Sequence, residues 1–287
     1  MGSIGPEGDY ATFRLSPDDK RLAASLVDPS AGNGDIWVTD LGRDSPSRFT
    51  FGPGLNLYPI WSPNGSLIAY QTNRKGLSEF YRKSAAGGGT EEAVLLEQAE
   101  RAAHLESFTL LPSDCSSDGQ NIIYTVFAAS GFDLWLLPLS GDRKPVKFLG
   151  SPSDEMHANF SPDGRFVAYA SNESGRFEVF VQTFPLSDRK WPVSTNGGYE
   201  PRWQADGREI YYLSEDRKLM AAAVGAGPSF DVPKPLFQTR VAEDILAQRT
   251  HYVPTRDGQR FLVNIQSGDP KPNPITAVLN WTEGLKK

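Results

Sequence analysis

Apolar and polar residues alternate along most of the chain in short runs, broken by clusters of Gly, Pro, Asp and Asn. That is the pattern of half-buried strands joined by tight turns. The clearest instance, residues 156–172, reads MHANFSPDGRFVAYASN: an alternating strand, a Ser-Pro-Asp-Gly turn and a second strand. Aligned on the turn, the hairpin recurs as LSPDDKRLAAS (15–25), WSPNGSLIAYQ (61–71), CSSDGQNIIYT (115–125), FSPDGRFVAYA (160–170), WQADGREIYYL (203–213) and PTRDGQRFLVN (254–264). Five of the six copies carry Asp-Gly or Asn-Gly, the strongest short hairpin signal. The turn residues Asp18, Asn64, Asp118, Asp163, Asp206 and Asp257 follow one another at intervals of 46, 54, 45, 43 and 51 residues, a period that belongs to propellers and arrays.

Each copy continues into a third strand, at residues 34–41, 78–84, 132–139, 177–184, 218–224 and 275–282. Five then offer a fourth: RFTF, AVLL, VKFL, KWPVS and PLFQTR. Four-stranded units of this kind cannot each bury both faces alone, and radial packing is the known solution. The expected fold is therefore all-β, a single six-bladed β-propeller of four-stranded antiparallel blades spanning 1–287. Its blades are placed at about 10–52, 56–97, 108–150, 156–194, 199–240 and 250–282 plus 2–5. The sixth unit lacks an outer strand, and the residues around Ser3 and Ile4 are expected to supply it by pairing with 275–281, closing the ring.

Composition agrees, with 39% hydrophobic residues, six Trp and sixteen Phe for a core and 27 Gly and 22 Pro for turns. A net charge of −6 without long blocks of either sign argues against binding to a phosphate backbone. The lone Cys115 excludes an internal disulfide. The start, MGSIGPEGDY, has no basic-then-apolar leader, and no apolar run approaches the ~18 residues of a membrane span.

The repeated SPDG hairpin, with its aliphatic second strand and aromatic-rich third strand, resembles the TolB-like, WD-like β-propeller repeat. More narrowly, GDYATFRLSPDDKRLA, GDIWVTDL, SRFTFGPG, DLWLLPLSGDRKP, FSPDGRFVAYASNESGRFEVFVQTFP, GGYEPRWQADGREIYYL, DGQRFLVNI and PITAVLNWTEGLKK resemble the C-terminal sensor propellers of bacterial eukaryotic-type serine/threonine kinases. That resemblance covers nearly the whole chain, with SSDG, QADG and TRDG as departures from SPDG and Cys115 where the repeat prefers an aromatic. It implies a fragment of a longer, kinase-linked protein, with the propeller periplasmic or extracytoplasmic in the parent protein.

No catalytic motif accompanies the repeats. The Val-Ala-Ile-Lys, His-Arg-Asp and Asp-Phe-Gly signatures of kinases are absent, as is the Gly-x-Ser-x-Gly of serine hydrolases. DPSAGNGD (28–35) partly matches a calcium loop but lacks its bidentate Glu, and reads as a turn.

Candidate chemistry lies in the first strand of each repeat. Six positions before the turn residue stand Thr12, Tyr58, Pro112, His157, Glu200 and His251, and two later come Arg14, Ile60, Asp114, Asn159, Arg202 and Val253. By strand alternation both sets face the central channel, whereas Leu15, Trp61, Cys115, Phe160, Trp203 and Pro254 pack between blades. His157, Glu200 and His251 then come from three successive blades at one height, a ligand set for a divalent metal: zinc first, manganese or calcium otherwise. The alternative is ordinary polar packing, with a His–Glu pair and water chains linking the blades. Tyr58, Arg14, Asn159 and Arg202 line the channel as ligand-binding candidates, Arg14 and Arg202 forming a salt-bridge network with Asp114. Third-strand Trp37, Trp135, Phe180 and Trp281 are expected in the core.

Two inserts, 98–110 and 241–250, are expected to border the channel mouth as short helical lids. His104 lies in the first, as a possible fourth ligand or proton-transfer group. Two functions follow. One is a sensor propeller that presents its channel mouth and top-face loops to a small molecule or a protein. The other is a metal-dependent hydrolase of phosphotriesters, lactones or esters, using metal-activated water with His104 or Asp114 moving the proton.

Overall fold

A computed structural model describes residues 2–4, 8–28, 30–95, 109–225, 229–242, 249–265 and 275–278. Every described element of regular structure is a strand. Five sheets are each built from four consecutive antiparallel strands. They comprise β2 (Asp9–Leu15) to β5 (Ser45–Arg48), β6 (Asn56–Trp61) to β9 (Glu92–Leu95), β10 (Thr109–Cys115) to β13 (Val146–Leu149), β14 (Glu155–Phe160) to β17 (Lys190–Pro192), and β18 (Tyr199–Trp203) to β21 (Lys234–Gln238). A further four-stranded sheet combines the two ends of the chain. In it β22 (Tyr252–Pro254), β23 (Phe261–Asn264) and β24 (Ile275–Val278) are extended by β1 (Gly2–Ile4). Gly2, Ser3 and Ile4 stand opposite Ala277, Thr276 and Ile275. The architecture is an all-β propeller of four-stranded antiparallel blades.

The reason for this arrangement is visible in the core. Apolar residues do not gather in one centre but in clusters between neighbouring sheets. Ile36 and Phe49 of the first meet Trp61 and Tyr70 of the second, and Phe80 meets Leu110 and Tyr124. Leu136 and Phe148 meet Phe160 and Tyr169, and Val181 meets Trp203 and Tyr212. Tyr211 meets Tyr252 and Phe261, and Val253 and Leu262 return to Tyr10 and Phe13. Each sheet therefore buries both faces, which its alternating strands require.

Two expectations about elements shift. The outer strand of the first blade is Ser45–Arg48 rather than RFTF, because Phe49 and Thr50 are drawn inward, 3% and 1% exposed, to pack between blades. Trp135 and Phe180 are core residues as expected, whereas Trp37 is only half-buried. Among the described residues the fully buried aromatic side chains are Tyr70, Tyr124, Tyr169, Tyr211 and Phe261 on second strands, Phe13 and Tyr252 on first strands and Phe80 on a third. Trp281 lies outside the described residues, as do 96–108 and 243–248, which hold most of both expected lids.

Five of the six turns share one construction, the fifth copy having Gln204 where the others have Ser or Thr. In FSPDG the Ser161 hydroxyl donates to Asp163 Oδ1 (2.6 Å) and accepts from Phe166 N–H (2.9 Å). Gly164 takes a left-handed φ of 70°. The first copy has Asp19 at that place, with φ 57°, the residue type besides Gly and Asn that best tolerates it.

Candidate functional site

Innermost strands converge on the channel, and here simple alternation fails. Register shifts mark bulges between Tyr10 and Thr12, Leu57 and Ile60, Pro112 and Asp114, Met156 and Asn159, and Tyr199 and Arg202. In three of them a non-glycine residue is held at positive φ: Tyr58 (55°), His157 (58°) and Glu200 (48°). A bulge adds a residue on one strand and re-aims its side chain. Left-handed backbone at bulky residues is uncommon, and its recurrence at the same repeat position marks the channel mouth as a strained part of the fold.

The bulges put side chains of one blade on the backbone of the next. Thr12 Oγ1 accepts from Tyr58 N–H (3.1 Å), Asp114 Oδ2 from Phe160 N–H (2.9 Å), and Asn159 Oδ1 from Trp203 N–H (3.2 Å). Glu200 Oε2 accepts from His251 N–H (3.1 Å). Two indoles stitch the same seams, Trp61 Nε1 donating to Arg14 O and Trp203 Nε1 to Asn159 O, both at 3.1 Å. Asp114 is fully engaged: it also accepts from Asn159 Nδ2 (2.7 Å) and from Cys115 N–H (2.9 Å). Arg14 donates to Thr250 Oγ1 (2.9 Å) and, more weakly, to Ser113 O (3.3 Å).

Glu200 and His251 form the buried centre. The imidazole Nδ1 is bonded to Glu200 Oε1, and Tyr252 O–H donates to the Glu200 carbonyl at 2.8 Å. Burial alone would raise the Glu200 carboxyl, but the His251 ring beside it overrides that and brings it down to about 2. His157 is near the same charges without sharing the bond. Burial first, and then the positive charge of Arg202, pulls it down to about 4, so it is neutral at pH 7. Burial and Arg202 likewise bring Arg14 down to about 9, which leaves it a cation at neutral pH. Asp114 is raised by burial, against the pull of its N–H partners and both arginines.

The structure therefore brings Arg14, Asp114, His157, Glu200, Arg202 and His251 into one electrostatic neighbourhood. Ile60 and Val253, from the same expected row, join core clusters instead. Tyr58 shares a cavity of about 40 Å³ at the upper end with Thr12, Arg14, His157, Arg202 and Thr250. Asn159 sits lower, bonded to Asp114. His104 lies outside the described residues. No salt bridge joins Arg14 or Arg202 to Asp114 among the described residues, so the expected ion-pair network is replaced by hydrogen bonds to backbone and Thr250.

Among the described residues no three or more His, Cys, Asp or Glu side chains come together to hold a metal ion. The Glu200 carboxylate is bonded twice to His251, and Arg14 and Arg202 stand in the same electrostatic neighbourhood.

Sequence reading missed Thr250, Tyr252 and the Arg249–Asp9 ion pair (2.6 Å) at the mouth. Only Tyr252 carried a signal, as the aromatic next to His251. At the opposite end the channel opens into a wider cavity of about 450 Å³, floored by Trp61, Phe160 and Trp203 and rimmed by the turn prolines.

Against known proteins this geometry finds its likeness in fold. No protein-family model matches the chain. It is 23% identical over 172 residues to the Tol-Pal system protein TolB of Helicobacter hepaticus, covering 58% of this chain and 38% of that protein. To an uncharacterized protein of Agrobacterium fabrum it is 24% identical over 145 residues, 47% of this chain and 46% of the other. The chain thus matches less than half the length of either relative. TolB from Acinetobacter baumannii superposes with a TM-score of 0.67 at 16% identity, over 91% of this chain and 64% of that one. The fold is that of the TolB-like β-propellers. Among the described residues no helix is long and apolar enough to cross a membrane.

Proposed function

We propose that the protein is a binding propeller of the sensor type, six blades closed into a ring by the pairing of Gly2–Ile4 with Ile275–Val278, that takes a small ligand or a partner segment at the upper end of its channel. The observation that carries this reading is the division of labour among channel residues. Asp114, Asn159 and Glu200 are committed to seams between blades, whereas Tyr58, His157 and Arg202 face a cavity at the mouth. Rigid scaffolds that present strained residues at a mouth suit recognition. Likeness to a protein of the Tol-Pal system supports a binding role for the fold, and the repeat motifs support a place beside a kinase in an extracytoplasmic segment.

A thermal-shift screen of small metabolites and short peptides tests the reading. Compounds that raise Tm in the native protein, and do so less in Tyr58→Ala, are expected. The competing hydrolase is tested in parallel with esters, lactones and phosphotriesters, with and without added zinc, manganese or calcium. Metal-dependent turnover that disappears in His157→Ala would replace binding by catalysis as the function.

A further inference from the structure

Arg202, like His157, is a channel side chain whose place the seams between blades do not explain. It is 6% exposed, it lines the upper cavity, and its Nε and Nη1 have no hydrogen-bond partner among the described residues. A guanidinium presents five N–H donors on a rigid fork, and burying part of that fork unpaired is costly. Neither nearby carboxylate relieves it, since Asp114 is held by three N–H donors and Glu200 by His251. Arg14, on the neighbouring wall, adds a second cation rather than a counter-charge. Of the other titratable groups on that wall, His157 is neutral at pH 7, burial raises the Tyr58 hydroxyl, and Arg249 is paired with Asp9 at 2.6 Å.

We propose that the upper end of the channel is a carboxylate site, in which the Arg202 fork receives the two oxygens of a short-chain organic carboxylate and Arg14 supplies the second positive charge. This deepens the binding reading, on which it rests, by naming the ligand class. Size supports it: about 40 Å³ is room for roughly three water-sized spheres, which fits a carboxylate with a carbon or two. Shape supports it too, because a planar carboxylate matches a guanidinium in parallel N–H···O bonds, which a tetrahedral oxyanion fills less well in so small a space. Leu111, Phe132 and Met156 complete the wall and give the carbon end apolar contact.

The test uses the full chain in carboxylate-free buffer at constant ionic strength. Formate, acetate and propionate are titrated against chloride, sulfate and inorganic phosphate, reading Tm and, by calorimetry, Kd. At least one carboxylate is expected to raise Tm saturably where chloride does not, and Arg202→Met to weaken its binding by about tenfold or more. Without ligand, Arg202→Met is expected to melt at or above the wild-type temperature, because it removes an unpaired buried charge. Absence of a carboxylate response in the wild type overturns the proposal, as does a response that survives Arg202→Met or that phosphate and sulfate match. A lower Tm for ligand-free Arg202→Met overturns it as well, since the guanidinium would then be paired within the protein. If carboxylates fail while uncharged compounds still bind and respond to Tyr58→Ala, only the ligand class is lost. If nothing binds, the binding reading itself is lost.

Discussion

Glu200 and His251, from adjacent sheets, hold each other through two contacts, imidazole Nδ1 on Oε1 and backbone N–H on Oε2 at 3.1 Å, with side chains 1% and 2% exposed. The pair is a seam between the fifth blade and the sheet that joins the chain ends. Removing one partner strands the other without water to replace it. Glu200→Ala is expected to cost about 3–5 kcal/mol in urea unfolding, and Glu200→Gln less, since the amide oxygen still accepts from the backbone. A loss under about 1 kcal/mol for Glu200→Ala would show that the pair is not a structural seam.

His157 should make stability pH-dependent in a defined window. Its folded-state value is about 4 against an ordinary 6.5, so between those limits the unfolded chain binds the extra proton. Its contribution is complete above pH 6.5 and is lost as pH falls toward 4, up to about 3 kcal/mol in all. His157→Gln should therefore flatten the fall in stability across that window. Glu200 acts in a lower window, from its ordinary 4.5 down to about 2, and is still held down by His251 when that substitution removes the smaller influence of His157. Parallel pH curves for the two proteins between 6.5 and 4 would contradict the placement of His157.

The turn glycines separate backbone from steric cost. Gly164 and Gly207 have φ of 70° and 74°, but a Cβ at Gly164 would meet Ser117 Oγ at 2.8 Å, whereas one at Gly207 finds nothing nearer than Pro162 Cδ at 4.0 Å. Each Ala variant should lose about 1–2 kcal/mol from the left-handed backbone. Gly164→Ala should lose slightly more, because the Ser117 hydroxyl must rotate away. Equal stability to wild type in urea titrations would mean that these turns are not locked.

Removal of residues 1–8 takes away β1, the outer strand beside Ile275–Val278, and Ile4, which packs with the Tyr10–Phe13–Val253 cluster. Tm should fall, by about 2–4 °C for each kcal/mol lost. An unchanged melting curve would rule out ring closure by this strand.

The chain also determines its own limits of legibility. Period-2 alternation and the Asp-Gly turns specify the hairpins locally, and their spacing of 43 to 54 residues specifies a radial repeat, because each sheet is apolar on both sides. For the same reason the seam role of Trp61, Phe160 and Trp203 was readable in advance, and so was the convergence of Arg14, Asp114, His157, Glu200, Arg202 and His251 on one channel. Equal register places equal positions at equal height.

What alternation cannot carry is a bulge. The insertions at Tyr58, His157 and Glu200 depend on how neighbouring blades meet, and they decide which side chain turns to a seam and which to the cavity. A sequence shows that Glu200 and two histidines share a height. Only the packed ring shows that the carboxylate is taken by His251, that two guanidiniums stand close by, and that Arg202 is left with part of its fork unfilled. Local pattern is a property of a few consecutive residues, whereas charge pairing in a channel is set by distances between strands that lie some fifty residues apart in the chain.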